Sequence, residues 1–288
     1  MRGAGAAPMT DQLAFEVRIL ELKQRARTLR KNIITMTTEA GSGHPGPALS
    51  LVEIITALYF AEMRYDPAQP DMMERDRFVL SKGHGVPALY GALVEAGFVL
   101  ADEMKRFRHA DGLLAGHPCV KTPGVDACSG SLGTGLSIAC GMAKGAKMRG
   151  SAARVYAVVG DGESDEGQIW EAALFAAHHR LDNLVAFTDR NKLQYSGRTC
   201  DVLELEPLAD KWRAFGWAVW EIDGHDLEAI LKALHEARDV SGQPKMIIAH
   251  TVKGKGISFM EGSQKYHGKP ASAEEGRRAL LELEERPL

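Results

Sequence analysis

The feature that most constrains this chain is a pair of short apolar segments separated by about one helix length. Residues 154–159 and 184–188 are almost wholly apolar, which is typical of strands buried on both faces, and residues 165–180 between them are predicted to be helical. Parallel strands need a crossover of about a dozen residues or more, so this order indicates a βαβ unit. The pattern recurs at residues 217–222, 227–238 and 245–250. The sequence therefore predicts an α/β fold, a parallel sheet with helices on both faces.

The rest of the chain is expected to add helices around this sheet and one long irregular stretch. Helices are predicted at residues 16–40, 49–61, 87–97, 101–108, 136–146 and 273–286, and a short strand at residues 78–80. Residues 111–135 are rich in Gly and Pro but low in charge, which is typical of a functional loop rather than of disorder. We expect residues 1–15 to be a loose tail and residues 16–288 to form a single domain.

Composition excludes several classes of protein. The chain has 288 residues, of which 45% are hydrophobic and 25% charged, so it is globular rather than disordered or fibrous. Thirty-five basic residues against 38 acidic ones leave a formal charge of −3, so we expect no nucleic-acid partner. No segment reaches the roughly 18 apolar residues that a membrane span needs, so we expect no membrane partner.

The cysteines are expected to be free thiols. They are Cys119, Cys128, Cys140 and Cys200, and their spacing matches neither a CxxC pair nor a zinc site. Residues 1–12 lack the apolar core of a secretion signal. These observations favour a cytoplasmic location, where thiols stay reduced.

Polar side chains follow two predicted strands at the edge where open parallel sheets bind ligands. Asp161 stands between Gly160 and Gly162 at the end of one strand, and Asn191 follows the next strand, 30 residues later. A right-handed crossover of that length places the two side chains next to each other. Their oxygens are hard ligands of the kind that Mg²⁺ or Ca²⁺ accepts, and the glycines allow the backbone to approach a ligand closely.

These residues predict a site for Mg²⁺ and a diphosphate. A helix beginning near Asp165 would offer unpaired N–H groups to the anion. For the Gly-Asp-Gly sequence alone a plain tight turn is the alternative, but an Asn at the distance of one βαβ unit favours the metal site.

The pairing of GDG with this Asn resembles the thiamine-diphosphate signature, and nearly the whole chain resembles the transketolases. The matching motifs, in the family's order, are TEAGSGHPG at 38–46, RDRFVLSKGH at 75–84, AGHP at 115–118, GSLGTG at 130–135, GDGESDEG at 160–167, DRNKL at 189–193, DGHD at 223–226, TVKGKG at 251–256 and YHGKP at 266–270. A single motif of this kind can occur by chance, whereas nine of them in the family's order indicate that the chain resembles the transketolases throughout.

The resemblance implies thiamine diphosphate and Mg²⁺ as cofactors, with Ca²⁺ able to substitute for Mg²⁺. It implies that the side chains of Asp161 and Asn191 and the backbone carbonyl of Leu193 bind the metal. It also implies that Gly162, with Gly160 beside it, contacts the diphosphate through its backbone. From the residues alone, Leu193 is equally an ordinary turn residue.

Further cofactor contacts follow from the same resemblance. The Gly130 carbonyl and Leu132 are expected to face the aminopyrimidine ring, where a glycine-rich helix entry is the alternative. Lys253 and Lys82 are expected near the diphosphate, where an ordinary exposed lysine is the alternative.

Four histidines in Gly- or Pro-flanked loops are implied to line a substrate channel. His44 and His267 are expected at the C3 hydroxyl of the donor sugar, His117 near its C1 hydroxyl, and His84 close to the thiazolium and diphosphate. Imidazoles suit this work because they exchange protons near neutral pH. A solvated loop residue is the alternative for any one of them.

Glu166 is a carboxylate at a helix start, which the helix dipole favours. The resemblance implies a second role, as an interface glutamate linked to the cofactor-activating glutamate of a partner domain. A full transketolase is more than twice as long and carries a pyrimidine-binding domain and a further C-terminal domain. The chain therefore resembles the N-terminal subunit of a split transketolase, expected to be inactive alone and to form a heterotetramer with a C-terminal subunit.

The implied reaction is transfer of a two-carbon ketol unit from a ketose or ketose phosphate to an aldose or aldose phosphate. The alternatives are a subunit of the 2-oxo acid dehydrogenase or deoxyxylulose-phosphate synthase type, or a non-catalytic half that regulates a partner. The histidine loops favour transketolase, because polyol substrates need many hydrogen-bond partners.

Overall fold

The computed structural model describes residues 11–286 and contains one five-stranded parallel sheet. The strands are β1 (Arg77–Leu80), β2 (Val155–Gly160), β3 (Leu184–Arg190), β4 (Ala218–Asp223) and β5 (Lys245–His250), in the order β1-β2-β3-β5-β4. Every neighbouring pair is parallel. The predicted α/β architecture and its two strand–helix–strand repeats are confirmed.

Ten α-helices surround the sheet within residues 11–286. They are α1 (Asp11–Glu39), α2 (Pro45–Leu49), α3 (Val52–Ala57), α4 (Val86–Glu95), α5 (Thr134–Met148), α6 (Gly167–His178), α7 (Thr199–Val202), α8 (Leu208–Ala214), α9 (Leu227–Asp239) and α10 (Ala273–Glu285). Residues 107–133 contain neither helix nor strand, so most of the irregular stretch predicted at 111–135 is confirmed, while residues 134 and 135 begin a helix. None of these helices is both long and apolar enough to span a membrane.

Several local predictions differ from the structure. The helix predicted at 101–108 is a 3₁₀ helix (Ala101–Arg106). Helix α1 begins at Asp11, so residues 11–15, expected in a tail, are helical, while residues 1–10 lie outside the described residues. The helix predicted at 49–61 is instead α2, α3 and a π-helical turn (Leu58–Glu62), with Pro45 and Pro47 in the first of them. Helices α7 and α8 were not predicted, because they are short and lack a strong apolar periodicity.

Strand β2 and the first four residues of β3 are apolar because both faces of the sheet are covered there, whereas the edge strand β4 is partly exposed. Phe78, Tyr156, Val158 and Phe187 pack toward α1, α3, α4 and α9, in the larger core. Alternate residues such as Val159 pack toward α5, α6 and α8, in a core rich in alanine. The four cysteines are free thiols, as predicted.

The register of the sheet places two strand ends side by side. Gly160, the last residue of β2, lies opposite Asp189 near the end of β3. The loops that carry Asp161 and Asn191 therefore leave the same edge of the sheet, next to the loop that follows β5.

Candidate active site

Asp161 is the charged residue at the centre of this edge. Its side chain is buried, and its carboxylate accepts hydrogen bonds from the backbone N–H of Gly162 at 2.9 Å and from that of Lys192 at 2.5 Å. Arg190 Nη1 lies 3.5 Å from the second carboxylate oxygen. The turn after β2 is thus held against the turn after β3 through one carboxylate.

Asn191 and Leu193 place two further oxygens beside this carboxylate. Asn191 Oδ1 accepts a hydrogen bond from the Leu193 N–H at 3.1 Å. The Leu193 carbonyl oxygen accepts one from Lys253 Nζ at 2.6 Å, so a cationic group already contacts it. All three residues line one cavity.

The donor set fits Mg²⁺. A carboxylate, an amide and a backbone carbonyl are hard oxygen ligands, and Mg²⁺ completes its coordination with phosphate oxygens and water. Within residues 11–286 no group of three or more His, Cys, Asp or Glu side chains could hold a metal. A metal here would therefore depend on two neutral protein oxygens and on the diphosphate.

The surroundings of the Asp161 carboxyl are compatible with a bound divalent cation. Burial raises the pKa of its carboxyl, and the nearby Asp189 carboxylate raises it further, while Lys82 and Lys253 act in the opposite direction. A divalent cation at the cavity would favour the ionised carboxylate that burial disfavours.

The cavity has a volume of about 460 Å³ and gathers residues from seven separate motifs. Its walls include twelve of the predicted site residues: His44, His84, Gly130, Leu132, Gly160, Asp161, Gly162, Glu166, Asn191, Leu193, Lys253 and His267. Lys82, Glu163, Gln194 and Tyr195 also line it.

Three of the predicted histidines form a triangle in this cavity. The rings of His84 and His267 are nearly parallel, with centroids 5.2 Å apart. The His44 ring lies 5.5 Å from that of His84 and 5.9 Å from that of His267, both edge to face. Three loops that are distant in sequence thus present their imidazoles to one volume.

These imidazoles are neutral at pH 7. Burial lowers the pKa of His44 to about 4 and that of His267 to about 3, with further contributions from Arg108 and Lys253 respectively. Burial also holds the pKa of His84 well below its usual value. The Nδ1 atom of His44 is buried and has no hydrogen-bond partner among residues 11–286, so it is available to a bound molecule.

His117 lies beside this group rather than in the cavity wall. Its side chain is exposed, and a Cβ built on Gly130 would lie 3.8 Å from its Cδ2. Arg108 was missed by sequence reasoning: after burial, its charge is the next cause of the lowered pKa of both His44 and His117. A single arginine in a loop gives no signal in one sequence, although its φ of 62° marks an unusual backbone.

The turn after β2 differs from the expected anion-binding helix start. A 3₁₀ turn (Gly162–Asp165) intervenes, and α6 begins at Gly167 rather than near Asp165. The Gly162 N–H donates to Asp161, and a Cβ at Gly162 would lie 2.8 Å from Gln194 Cγ. A larger residue here would therefore require the Gln194 side chain to move.

Two glutamates in this turn have opposite environments. Glu166 is exposed at the start of α6 and makes no capping hydrogen bond there with its side chain. Glu163 is buried, and its carboxylate accepts hydrogen bonds from the N–H of Gly133 at 2.8 Å, from that of Gly160 at 2.9 Å and from the Ser81 hydroxyl. Glu163 thus joins three of the motifs, a role that sequence reasoning missed because an acid in a loop is ordinarily solvated.

Lys82 is another buried charge that the sequence left ambiguous. It is 2% exposed and donates to the carboxylate of Asp189, which also accepts from the Ser50 hydroxyl at 2.6 Å. Burial alone would raise the pKa of Asp189, but Lys82 and the hydroxyls of Ser50 and Thr251 together outweigh burial and lower the pKa. Lys82 and Lys253 together give the cavity buried positive charge suited to phosphate oxygens.

A parallel α/β sheet whose strand ends carry hard oxygen donors beside buried lysines is the arrangement expected of a protein that binds a diphosphate-bearing cofactor. A family described as "Transketolase, thiamine diphosphate binding domain" matches residues 22–283. The chain belongs to this transketolase family and contains its thiamine-diphosphate-binding domain.

Several curated relatives have nearly the same length as this chain. It is 46% identical over 266 residues to a 6-deoxy-6-sulfo-D-fructose transketolase subunit from Clostridium sp. (strain MSTE9), covering 92% of this chain and 97% of the relative. It is 42% identical over 272 residues to an apulose-4-phosphate transketolase subunit from Phocaeicola vulgatus, covering 94% and 96%.

The chain also matches part of longer transketolases. It is 42% identical to human transketolase, covering 91% of this chain and 42% of that protein. The structure of transketolase from Campylobacter jejuni superposes with a TM-score of 0.86 and 33% identity, covering 96% of this chain and 43% of that one. The chain thus spans about two fifths of these longer proteins.

Proposed function

We propose that this chain is the N-terminal, cofactor-binding subunit of a two-subunit transketolase that acts in the cytoplasm. It transfers a two-carbon ketol unit from a ketose to an aldose, with thiamine diphosphate and Mg²⁺ as cofactors. The supporting observation is that one cavity joins the hard-oxygen site to a triangle of neutral imidazoles. Curated relatives of the same length are named as transketolase subunits, which supports the same conclusion.

The residues at the sheet edge would hold the cofactor. Asp161, Asn191 and the Leu193 carbonyl bind the metal, and Lys82 and Lys253 neutralise the diphosphate. When bound, thiamine diphosphate supplies a nucleophilic carbon that can add to a sugar ketone. The protein's contribution is orientation, neutralisation of charge and a site shielded from water.

His44 and His267 would handle protons at the sugar hydroxyls. Lys253 Nζ lies 3.0 Å from His267 Nδ1, and since an ammonium can only donate, the ring proton of His267 is on Nε2. The unpartnered Nδ1 of His44 can accept a hydroxyl proton, because the ring is neutral at pH 7. With its proton on Nε2, the His267 ring can donate a hydrogen bond to a sugar hydroxyl oxygen, while His44 accepts a proton from another hydroxyl.

The partner subunit would complete the site with the pyrimidine-binding half, in a heterotetramer. Glu166 supports an interface here, because it is exposed at the cavity wall and unused by its own helix. We propose that it meets the cofactor-activating glutamate of the partner. The chain alone is therefore expected to be inactive.

The donor is proposed to be an anionic ketose. Relatives of this length are named for a sulfonated and a phosphorylated sugar, and the exposed Arg108 stands near His44 and His117. A guanidinium recognises sulfonate and phosphate groups alike.

The test is ketol transfer to ribose 5-phosphate with thiamine diphosphate and Mg²⁺, using the purified chain alone and mixed with a candidate C-terminal subunit. Xylulose 5-phosphate, 6-deoxy-6-sulfo-D-fructose and apulose 4-phosphate serve as alternative donors. Turnover only in the mixture supports the proposal. Turnover by the chain alone contradicts the two-subunit assignment, and cofactor binding by the mixture without turnover of any donor would favour a regulatory half.

A further inference from the structure

Two buried side chains, Glu53 and Arg30, and the partly buried His225 lie outside the cavity wall and have no part in the mechanism above. Glu53 of α3 is 7% exposed and Arg30 of α1 is 8% exposed. One oxygen of the Glu53 carboxylate lies 2.6 Å from Arg30 Nη2, and the other lies 2.8 Å from His225 Nδ1. Burial by itself raises the pKa of Glu53, but Arg30 and His225 outweigh burial and lower it, so the carboxylate stays charged.

The hydrogen bonds of His225 fix its tautomer. Its Nε2 accepts a hydrogen bond from the backbone N–H of Val252 at 2.8 Å, so this nitrogen carries the lone pair. The ring proton is then on Nδ1 and is donated to Glu53. The imidazole is therefore a fixed bridge between a carboxylate and a backbone N–H.

Both partners of Glu53 bind the same segment, residues 251–256, which we call the lysine loop. His225 binds the N–H of Val252, and Arg30 Nε donates to the carbonyl of Lys255 at 3.0 Å. Gly256, with a φ of 98°, allows this approach, since a Cβ there would lie 2.5 Å from Arg30 Nε. One buried carboxylate thus orients two groups that hold the lysine loop on both sides of Lys253.

Lys253 is the residue of this loop that enters the cavity. It is 1% exposed, and its Nζ lies 2.6 Å from the Leu193 carbonyl and 3.0 Å from His267 Nδ1. The position of its ammonium along a long flexible side chain depends on where the backbone of residues 252–255 is held. A shift of that backbone would move the charge away from both the carbonyl and the imidazole.

We propose that His225 is a positioning residue, which acts through the Val252 N–H to set Lys253 at the metal and diphosphate end of the cavity. The proposal rests on the function proposed above. It extends that function to a histidine outside the cavity wall.

The test compares His225→Asn with His225→Gln in the full chain, with and without the partner subunit. The two amides have the same chemistry and both can donate to Glu53, but only the longer glutamine reaches the position of Nε2. His235→Asn, an exposed histidine on α9, is the matched control.

The first readout is hydrogen exchange of the chain alone, which needs neither cofactor nor activity. Residues 251–256 of His225→Asn are expected to exchange at least about tenfold faster than in the wild type, while β5 and α9 are unchanged. His225→Gln and His235→Asn are expected to match the wild type. Equal protection of the lysine loop in the two His225 variants would overturn the proposal.

The second readout is thiamine diphosphate binding in the presence of Mg²⁺ and the partner. His225→Asn is expected to raise the dissociation constant about tenfold, as for residues that orient a metal ligand, with recovery in His225→Gln. Unchanged affinity in His225→Asn contradicts the positioning role. If the wild type itself fails to bind the cofactor, the proposed function is wrong, while the exchange experiment still decides the role of His225 in the loop.

Discussion

Charged side chains are buried at both ends of the sheet, but the two ends differ in how many hydrogen-bond partners these side chains have. At the amino end, the Asp126 carboxylate contacts Arg75 at 2.5 Å, Arg77 at 3.2 Å and the N–H of Phe78 at 2.8 Å. Asp76 there accepts from the backbone N–H groups of Arg64 and Arg154. Each of these carboxylates is surrounded by donors.

At the carboxyl end Asp189 and Glu163 are also well paired, but two other ionisable groups there are not. Nδ1 of His44 and Oδ1 of Asp165 have no partner among residues 11–286, and burial raises the pKa of Asp161. A buried charge with a full set of donors stabilises one packing of the chain, whereas a buried ionisable atom that lacks a partner and lines a cavity is a candidate for ligand binding. The comparison thus separates structural from functional charge within one sheet.

The largest expected effect is that of Asp161→Asn on activity. The amide keeps the shape but loses the charge that binds the metal, so ketol transfer with the partner should fall more than about 100-fold, beyond the loss usual for residues that only orient a ligand. The free energy of unfolding should change little, because burial already disfavours the ionised carboxyl. Activity within tenfold of the wild type would remove Asp161 from the metal site.

Asp126→Asn should lower stability and leave activity unchanged, the reverse of Asp161→Asn. It leaves the buried Arg75 without its counter-charge, which costs about 3–5 kcal/mol of unfolding free energy in urea titrations. Activity per folded molecule should be unchanged. Asp102→Asn, which breaks an exposed pair with Lys105, is the control and should not alter stability.

Acidification should destabilise the chain through the histidine triangle. In the folded state the pKa of His44 is about 4 and that of His267 about 3, against an ordinary 6.5. As the pH falls, the two imidazoles are therefore protonated in the unfolded chain before they are protonated in the folded one. The free energy of unfolding should fall as the pH drops below about 6.5, down to about 4 for His44 and about 3 for His267. The measurement is urea unfolding at several pH values for the wild type and for His44→Gln with His267→Gln, and an equal pH dependence in both would contradict the assignment.

The smallest expected effect is that of Asp165→Asn on stability. Burial raises the pKa of this carboxyl and one of its oxygens has no partner, so an amide should leave the unfolding free energy within about 0.5 kcal/mol of the wild type. A loss as large as that of Asp126→Asn would show that the two ends of the sheet do not differ in the proposed way.

The fold and most of the candidate site could be predicted because their signals are local. Residues 184–187 of strand β3 form a continuous apolar run. The Gly-Asp-Gly turn and the histidine loops are short motifs that can be recognised without their three-dimensional neighbours. Such patterns reflect which residues are buried and which backbone shapes a turn needs.

The sequence by itself determined the parallel α/β sheet, the two strand ends that carry Asp161 and Asn191, and the loops that carry the histidines. Only the tertiary structure decided that His44, His84 and His267 form one triangle, that Glu163 is buried while Glu166 is exposed, and that Glu53 and His225 support the lysine loop. The physical reason is that periodicity and turn chemistry depend on neighbours in sequence. The burial and partners of a charged side chain depend instead on residues brought together from distant parts of the chain.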